Sequence, residues 1–218
     1  MGKKVHPYAF RLGPLYIWKS RWFANKKDYQ KFLLEDIDLR NFLMERLRSA
    51  GVVDINIERS IKTIKITIFV SRPGVVIGRG GSGLETLNKE IKKRLHIKEN
   101  DSKAEKLDIK VEEVKNPDVQ AQLVARRIAD QLVGRYPHRR AVNQALDRAM
   151  EAGAKGIKIQ LSGRIGGAEI GRTEKYSRKN IPTQSLRSDI DYAEVPSLTK
   201  SGYVGVKVWI YKGEKQLR

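Results

Sequence analysis

Val75-Val76-Ile77-Gly78-Arg79-Gly80-Gly81-Ser82-Gly83 places four glycines within six residues, between a short apolar turn and a helix carrying Leu84, Leu87, Ile91 and Leu95 on one stripe. Arg72-Pro73-Gly74 in front of it stops any strand, because proline lacks the N–H that a ladder needs. Working outward, Ile61 to Val70 alternates Ile64, Ile66 and Ile68 with Lys65, Thr67 and Phe69, and Val52 to Glu58 is also β-rich. Arg59-Ser60 is the expected turn, giving a hairpin with one wet face. Ahead of it, Phe32, Leu33, Ile37, Leu39, Phe42, Leu43 and Leu47 recur at helical spacing from Asp28 until Gly51. Beyond the loop Glu99 to Lys103, the stretch Leu107 to Val114 alternates as a strand. The order is helix, strand, strand, short helix, glycine loop, helix, strand.

The glycine run fits two patterns, G-x-G-x-x-G for dinucleotides and G-x-x-G for the loop of a KH domain. As a dinucleotide loop it would place Glu99 or Asp101 on a ribose hydroxyl, but Pro73-Gly74 leaves its strand only three residues long and no further βαβ units follow. A Walker loop is excluded, since no Lys-Ser or Lys-Thr follows the last glycine. In the KH reading, Gly78, Arg79, Gly80 and Gly81 join two helices, the glycines let backbone approach phosphates, and Arg79 adds charge. A bare helix–helix turn without a ligand is the remaining alternative.

Asn116-Pro117-Asp118 marks a boundary, with Asp118 expected to cap the next helix. Two amphipathic helices follow, Val119 to Val133 and Arg139 to Ala152. Strands are then expected at Ile157 to Ser162, Ala168 to Tyr176, about Ile190 to Ala193, and Val204 to Tyr211. The fold class is α+β in two domains: residues 28–117 around the glycine loop, and residues 118–218, a helical hairpin on a mainly antiparallel four-stranded sheet. Residues 1–27 form an arm that interleaves Lys3, Lys4, Arg11, Lys19 and Arg21 with rings such as Trp18 and Trp22, and no helical or strand period survives its breakers. Such a mixture suits threading against RNA, with phosphates on cations and bases on rings. Equally, Trp18 and Trp22 could staple the arm to its own domain.

Lys and Arg total 44 against 25 Asp and Glu, a formal net charge of +19. Self-repulsion on that scale makes a polyanion the leading partner, nucleic acid ahead of an anionic membrane. Residues 1–31 hold eight basic residues against one acid, residues 126–179 hold 13 against five, and the middle is nearly balanced. Arg126 and Arg127 on one helix and Arg139 and Arg140 on the next are expected to converge near the intervening turn as a backbone-binding patch. Cysteine is absent, which removes disulfides, thiolate zinc sites and cysteine nucleophiles. His6, His96 and His138 are dispersed, and Ser82 is in no nucleophile elbow. Asp189, Asp191 and Glu194 are the nearest approach to a metal site and fit ion-paired surface residues better. No catalytic residue, metal or cofactor is expected. The basic start, broken at Pro7, has no apolar signal-length stretch behind it, and no run approaches the length of a membrane span, so a cytoplasmic chain with no membrane partner is expected.

Trp22-Phe23-Ala24-Asn25, Arg72 to Gly78, Gly153 to Lys158, Ser162-Gly163-Arg164-Ile165-Gly166-Gly167-Ala168-Glu169-Ile170, Asp189-Ile190-Asp191-Tyr192 and Gly205-Val206-Lys207-Val208-Trp209-Ile210, with the opening Met-Gly-Lys-Lys-Val-His-Pro, together resemble the bacterial-type small-subunit ribosomal protein three family over essentially the whole chain. The resemblance implies a non-catalytic constituent of the small-subunit head with a type II KH domain whose core spans residues 39–114. It would bind small-subunit rRNA, line the channel by which messenger RNA enters, and touch neighbouring head proteins of the ten and fourteen families. It also implies rRNA contacts through basic residues of the arm and the second domain, for which Lys3, Lys4, Arg11, Lys19, Arg21, Trp22, Lys155, Arg164, Arg172, Lys175, Arg178 and Lys179 are candidates. Family members use three basic positions of the helical hairpin to separate messenger secondary structure; these match Arg139, Arg140 and Asn143, so the third carries an amide here. The loop between Ile97 and Lys106 is also longer than usual for the family. Asn143→Lys is therefore expected to improve passage through stable hairpins, measured as protein yield from a message with a structured leader; an unchanged yield counts against this role.

Overall fold

A computed structural model describes residues 5–95 and 106–216; Lys3, Lys4, His96 and the whole loop between Ile97 and Lys106, Glu99 and Asp101 included, lie outside them. Two compact units result, one of residues 18–115 and one joining residues 5–17 to 116–216. The proposed arm is thus divided between them at Ile17/Trp18.

In the first unit the helical run begins at Lys26, with extended Asn25 at its N-cap and Asp28 in the first turn, where a carboxylate favours the helix dipole. Its second half carries the hydrophobic-core contacts. Leu39, Leu43 and Leu47 lie four apart and are buried, whereas Leu33, Leu34 and Ile37 are exposed, because 3.6 residues per turn carries them off that line. Lys26–Arg46 is α2, preceded by a four-residue α1 (Pro7–Phe10) in the other unit. The expected hairpin forms from β2 (Val52–Arg59) and β3 (Thr63–Val70), antiparallel with Ile57 opposite Ile66. β4 (Lys106–Glu113) then lies parallel to β3, with Ile66 beside Ile109. A parallel neighbour needs a crossover, supplied here by α3 (Pro73–Ile77), the glycine turn and α4 (Ser82–Arg94). Ile64, Ile66, Ile68 and Val70 meet Leu39, Leu43, Val76, Leu87 and Ile91 in one core. The sequence gives no sign of β1 (Ser20–Arg21), which adds to the sheet parallel to β2. Its tether is the Ile57 N–H, donated to the Lys19 carbonyl at 2.9 Å.

The second unit puts α5 (Ala121–Val133) and α6 (His138–Glu151) on one face of an antiparallel sheet. Its strands are β5 (Gly156–Gly163), β6 (Arg172–Arg178), β7 (Ser188–Thr199) and β8 (Gly202–Glu214), in the order β6-β5-β8-β7. Ile157, Ile159, Leu161, Val206, Val208 and Ile210 point into the helices. Two strands differ from expectation. β6 starts later than Ala168, because Ile165–Gly167 forms a 3-10 turn, and β7 runs 12 residues rather than four. Pro196 sits within β7, which is tolerable because β7 is an edge strand. The expected cap is also corrected: Gln120 occupies the N-cap of α5, Asp118 sits in the preceding 3-10 turn, and the Ala121 N–H donates instead to Asp191 Oδ2 at 3.0 Å.

Arg11 requires a larger correction, since it is fully buried and so unavailable to rRNA. Its Nε donates to the Ser188 carbonyl at 2.7 Å, Nη1 to Pro7 at 2.9 Å, and Nη2 to Thr183 and Ser185, each at 2.9 Å. Burial lowers its pKa while Tyr16 and Asp189 oppose that pull, and the guanidinium remains charged. Tyr16 hydroxyl donates to Asp189 Oδ1 at 2.5 Å and stacks on Tyr8 at 4.6 Å. Removing the guanidinium strands four carbonyls, so Arg11→Met should lower stability by about 3 kcal/mol. Lysine, with three donors on one nitrogen, should restore only part of it. Urea unfolding of the full chain checks this, and an unshifted midpoint would refute the role given to Arg11.

Candidate nucleic-acid interface

The glycines of the loop do two different jobs. Gly78, Gly80 and Gly81 have φ of 71°, 61° and 83°, a region costly for any residue with a Cβ. Around Gly80 and Gly81 nothing would meet a Cβ within 4 Å, so their backbone lies open to an approaching group. Gly78 and Gly83 are packing positions: a Cβ on Gly83 would lie 2.5 Å from the Val76 carbonyl oxygen, and one on Gly78 would lie 2.9 Å from Gly83 N. The close contact of α3 with α4 therefore depends on Gly83, which sequence reasoning left out of the site. Arg79 is exposed at the crest, and Ser82 Oγ donates to the Arg79 carbonyl at 3.0 Å, fixing the turn.

On the helical hairpin, Arg139, Arg140 and Asn143 line one open depression along α6 with Tyr136, Gln144 and Arg148, and Asp147 and Glu151 complete its lining. Among the described residues neither Arg139 nor Arg140 forms an ion pair. Convergence with Arg126 and Arg127 does not occur. Those two lie near the middle of α5, about 10 Å along the axis from the turn at 1.5 Å per residue, outside the depression. Arg127 Nη1 is taken by Asp118 at 2.6 Å, and Arg126 has interactions of its own.

The start of α6 is held to β6 by a cluster around Glu174. Its carboxylate accepts from the Tyr176 hydroxyl and, at 2.6 Å, from Arg172 Nε, while His138 Nε2 lies 3.1 Å away without hydrogen-bond alignment. The Tyr176 hydrogen bond, then that of Arg172, hold the Glu174 pKa down at about 2 against burial. Burial and Glu174 raise the pKa of Tyr176, and Arg139 pulls the other way.

The other candidates are scattered. Lys19 pairs with Asp54 at 2.9 Å, Arg21 with Glu58, and Arg178 with Asp147 at 3.6 Å. Arg164 Nε donates to the Ala168 carbonyl at 2.8 Å. Lys155 reaches over Gly213, and Lys175 and Lys179 are exposed. Trp22 is a staple: its Nε1 donates to Asp36 Oδ2 at 2.8 Å and its ring meets Tyr29 and Phe32. Trp18, by contrast, is 68% exposed. Buried Asp36 also accepts from Ser20 and twice from Arg59, a hub that its place among helix-surface charges concealed. Asp189, Asp191 and Glu194 are ion-paired with Lys215, Lys212 and Lys207. No group of three or more His, Asp or Glu that could hold a metal exists among the described residues. No helix among them is long and apolar enough to cross a membrane.

A helix–glycine turn–helix slung across a mixed sheet, followed by a helical hairpin on an antiparallel sheet, defines a KH-domain protein with a second α+β unit. Residues 38–119 match the KH domain family and residues 128–210 match the family described as "Ribosomal protein S3, C-terminal domain". Similar over nearly the whole length are proteins named small ribosomal subunit protein uS3. That of Caldicellulosiruptor saccharolyticus is 52% identical, covering 98% of this chain and 93% of the relative. That of Persephonella marina is 48% identical over 99% and 92%, and that of Clostridium novyi 46% over 98% and 94%. The chain belongs to the uS3 family of small ribosomal subunit proteins.

Since the fold lowers the Glu174 pKa from its ordinary 4.5 to about 2, the ionised form is favoured by folding. Its stabilisation is complete above the ordinary value and disappears as pH falls through about 2. Glu174→Gln should therefore be less stable than the parent at neutral pH, with the gap closing on acidification across that window. Urea midpoints measured across that pH range check it; a gap independent of pH would count against the cluster.

Proposed function

We propose that this chain is a non-catalytic constituent of the small ribosomal subunit head, holding small-subunit rRNA and presenting α6 to incoming messenger RNA. What carries the messenger role is the N-terminal turn of α6. It has no acidic residue and no side-chain cap, yet Arg139 and Arg140 project there without carboxylate partners among the described residues. Cations at a helix N-terminus work against the dipole, and a phosphate backbone relieves both the uncapped N–H groups and the arginines. Asn143 and Tyr136 border the same depression, supplying an amide and a ring that favour single strand over duplex. No nucleotide is hydrolysed; strand separation is electrostatic and geometric, driven by translocation itself.

Gly78 to Gly81 with Arg79 form the second contact, where open backbone meets about four nucleotides. Arg126 and Arg127, expected to join Arg139 and Arg140 in facing the messenger, are left out of this reading, which keeps Arg139, Arg140 and Asn143. Lys155, Arg164, Lys175 and Lys179 remain the rRNA candidates of the second unit, with Arg172 and Arg178 already committed to carboxylates. Lys3 and Lys4 stand as sequence candidates only. Neighbouring head proteins of the ten and fourteen families belong to the same reading, as does a cytoplasmic site of action.

Sucrose-gradient sedimentation of the tagged chain from its own cell tests the assignment. It should travel with small subunits and resist moderate salt, while Arg139→Ala with Arg140→Ala should sediment unchanged but slow translation of hairpin-bearing messages several-fold. A chain that stays at the top of the gradient overturns the ribosomal role.

A further inference from the structure

The face of the second sheet that the helices leave uncovered carries a built cavity that neither the KH loop nor α6 explains. Strand alternation brings Lys158 and Gln160 of β5, Lys207 and Trp209 of β8 and Tyr192 of β7 together, with Lys158 opposite Trp209, Gln160 opposite Lys207 and Tyr192 opposite Trp209. The α1 segment closes one side, so that these side chains and Phe10 line a space of about 550 Å³, within the range of small-ligand sites. Tyr192 and Trp209 are tilted at 45° with centroids 5.1 Å apart, and His6 meets the Tyr192 ring edge-on at 4.8 Å. Lys158 Nζ lies 5.2 Å from the centre of the Trp209 ring. Among the described residues no carboxylate lines the space; Glu194 borders it, pairing with Lys207 at 3.3 Å and accepting from the Tyr192 hydroxyl at 3.0 Å.

A cross-strand aromatic pair alone would stabilise the sheet. It would not need two lysines and the amides of Gln160 and Gln184 gathered round a hollow. Those components are what an unstacked base and its phosphate need: a ring to lie against, amides for the base edge, and cations for the backbone. We propose that this cavity binds one nucleotide of single-stranded RNA, the base against Trp209 and Tyr192 and the phosphate at Lys158 and Lys207. The inference rests on the RNA-binding reading above and adds a site to it. Charge selects RNA over a peptide, because Lys158 and Lys207 outnumber the one bordering carboxylate, Glu194, on a chain of net charge +19, which favours a polyanion.

The experiment photo-crosslinks the full chain to a 5-iodouridine-substituted RNA oligomer and maps the adducts by peptide mass spectrometry. Adducts on the peptides bearing Tyr192 and Trp209 are expected. They should fall about tenfold in Trp209→Leu and in Lys158→Gln with Lys207→Gln, with adducts at the glycine loop retained. Trp209→Phe, which keeps a ring and the fold, should retain most of the signal. Adducts at the loop or α6 but none on the sheet would overturn the inference and leave RNA binding standing; no adduct anywhere would overturn both. Loss of the sheet adduct to equimolar uridine monophosphate would mark a free-nucleotide site instead. In isolated small subunits, a cross-link from these peptides to a protein rather than to RNA would show that a neighbour occupies the face, and the inference would fail.

Discussion

A buried charge must find its partners inside the protein, and in each unit that requirement fixes where the N-terminal segment runs. Arg11 is enclosed by the carbonyls of Pro7, Thr183, Ser185 and Ser188, so residues 5–17 cannot leave the second unit without exposing or orphaning all of them. Asp36 accepts from Ser20, Trp22 and Arg59, so the next few residues are bound to α2 and β2 with the same stringency. Desolvating either charge without its set costs several kcal/mol, comparable to the whole net stability of a domain. The segment is therefore structure first, and only the cations not used in these sets are left for a ligand.

The glycine turn follows the same division of labour. Gly83 permits two helices to approach more closely than any side chain allows, and Gly78 turns the chain at that point. Gly80 and Gly81 carry positive φ with open space around them, so packing does not explain them. Such backbone can come to within hydrogen-bond reach of a phosphate, with Arg79 beside it. A rigid base formed by one pair of glycines presents an accessible edge formed by the other.

Periodicity made the element order, both cores and the glycine turn legible, because Ile64, Ile66 and Ile68 or Ala141, Ala145 and Ala149 repeat where burial demands it. It failed where a long-range partner decided the outcome. Arg11 looked like any basic residue among aromatics; three of its four acceptors lie more than 170 positions away. Asp118 stood at cap spacing but serves Arg127, while the N-terminus of α5 is satisfied by Asp191 from β7. Leu33 and Ile37 matched a helical stripe that the tertiary fold does not use. Arg139 and Arg140 stood out in the sequence for the converse reason, lacking acids at i±3 and i±4, and neither is ion-paired among the described residues.

That contrast extends to the charge as a whole. Lys19, Arg21, Arg59, Arg94, Arg127, Arg172 and Arg178 are held by carboxylates, so they add little to the field that an incoming polyanion meets. Arg79 ahead of α4 and Arg139 with Arg140 on α6 occupy helix starts, where a cation opposes the dipole by several tenths of a kcal/mol. Each such placement weakens the free protein slightly and strengthens its complex with an anion. Counterion release then makes the gain depend on how many phosphates are engaged at once, which favours a polyanion over any small anion.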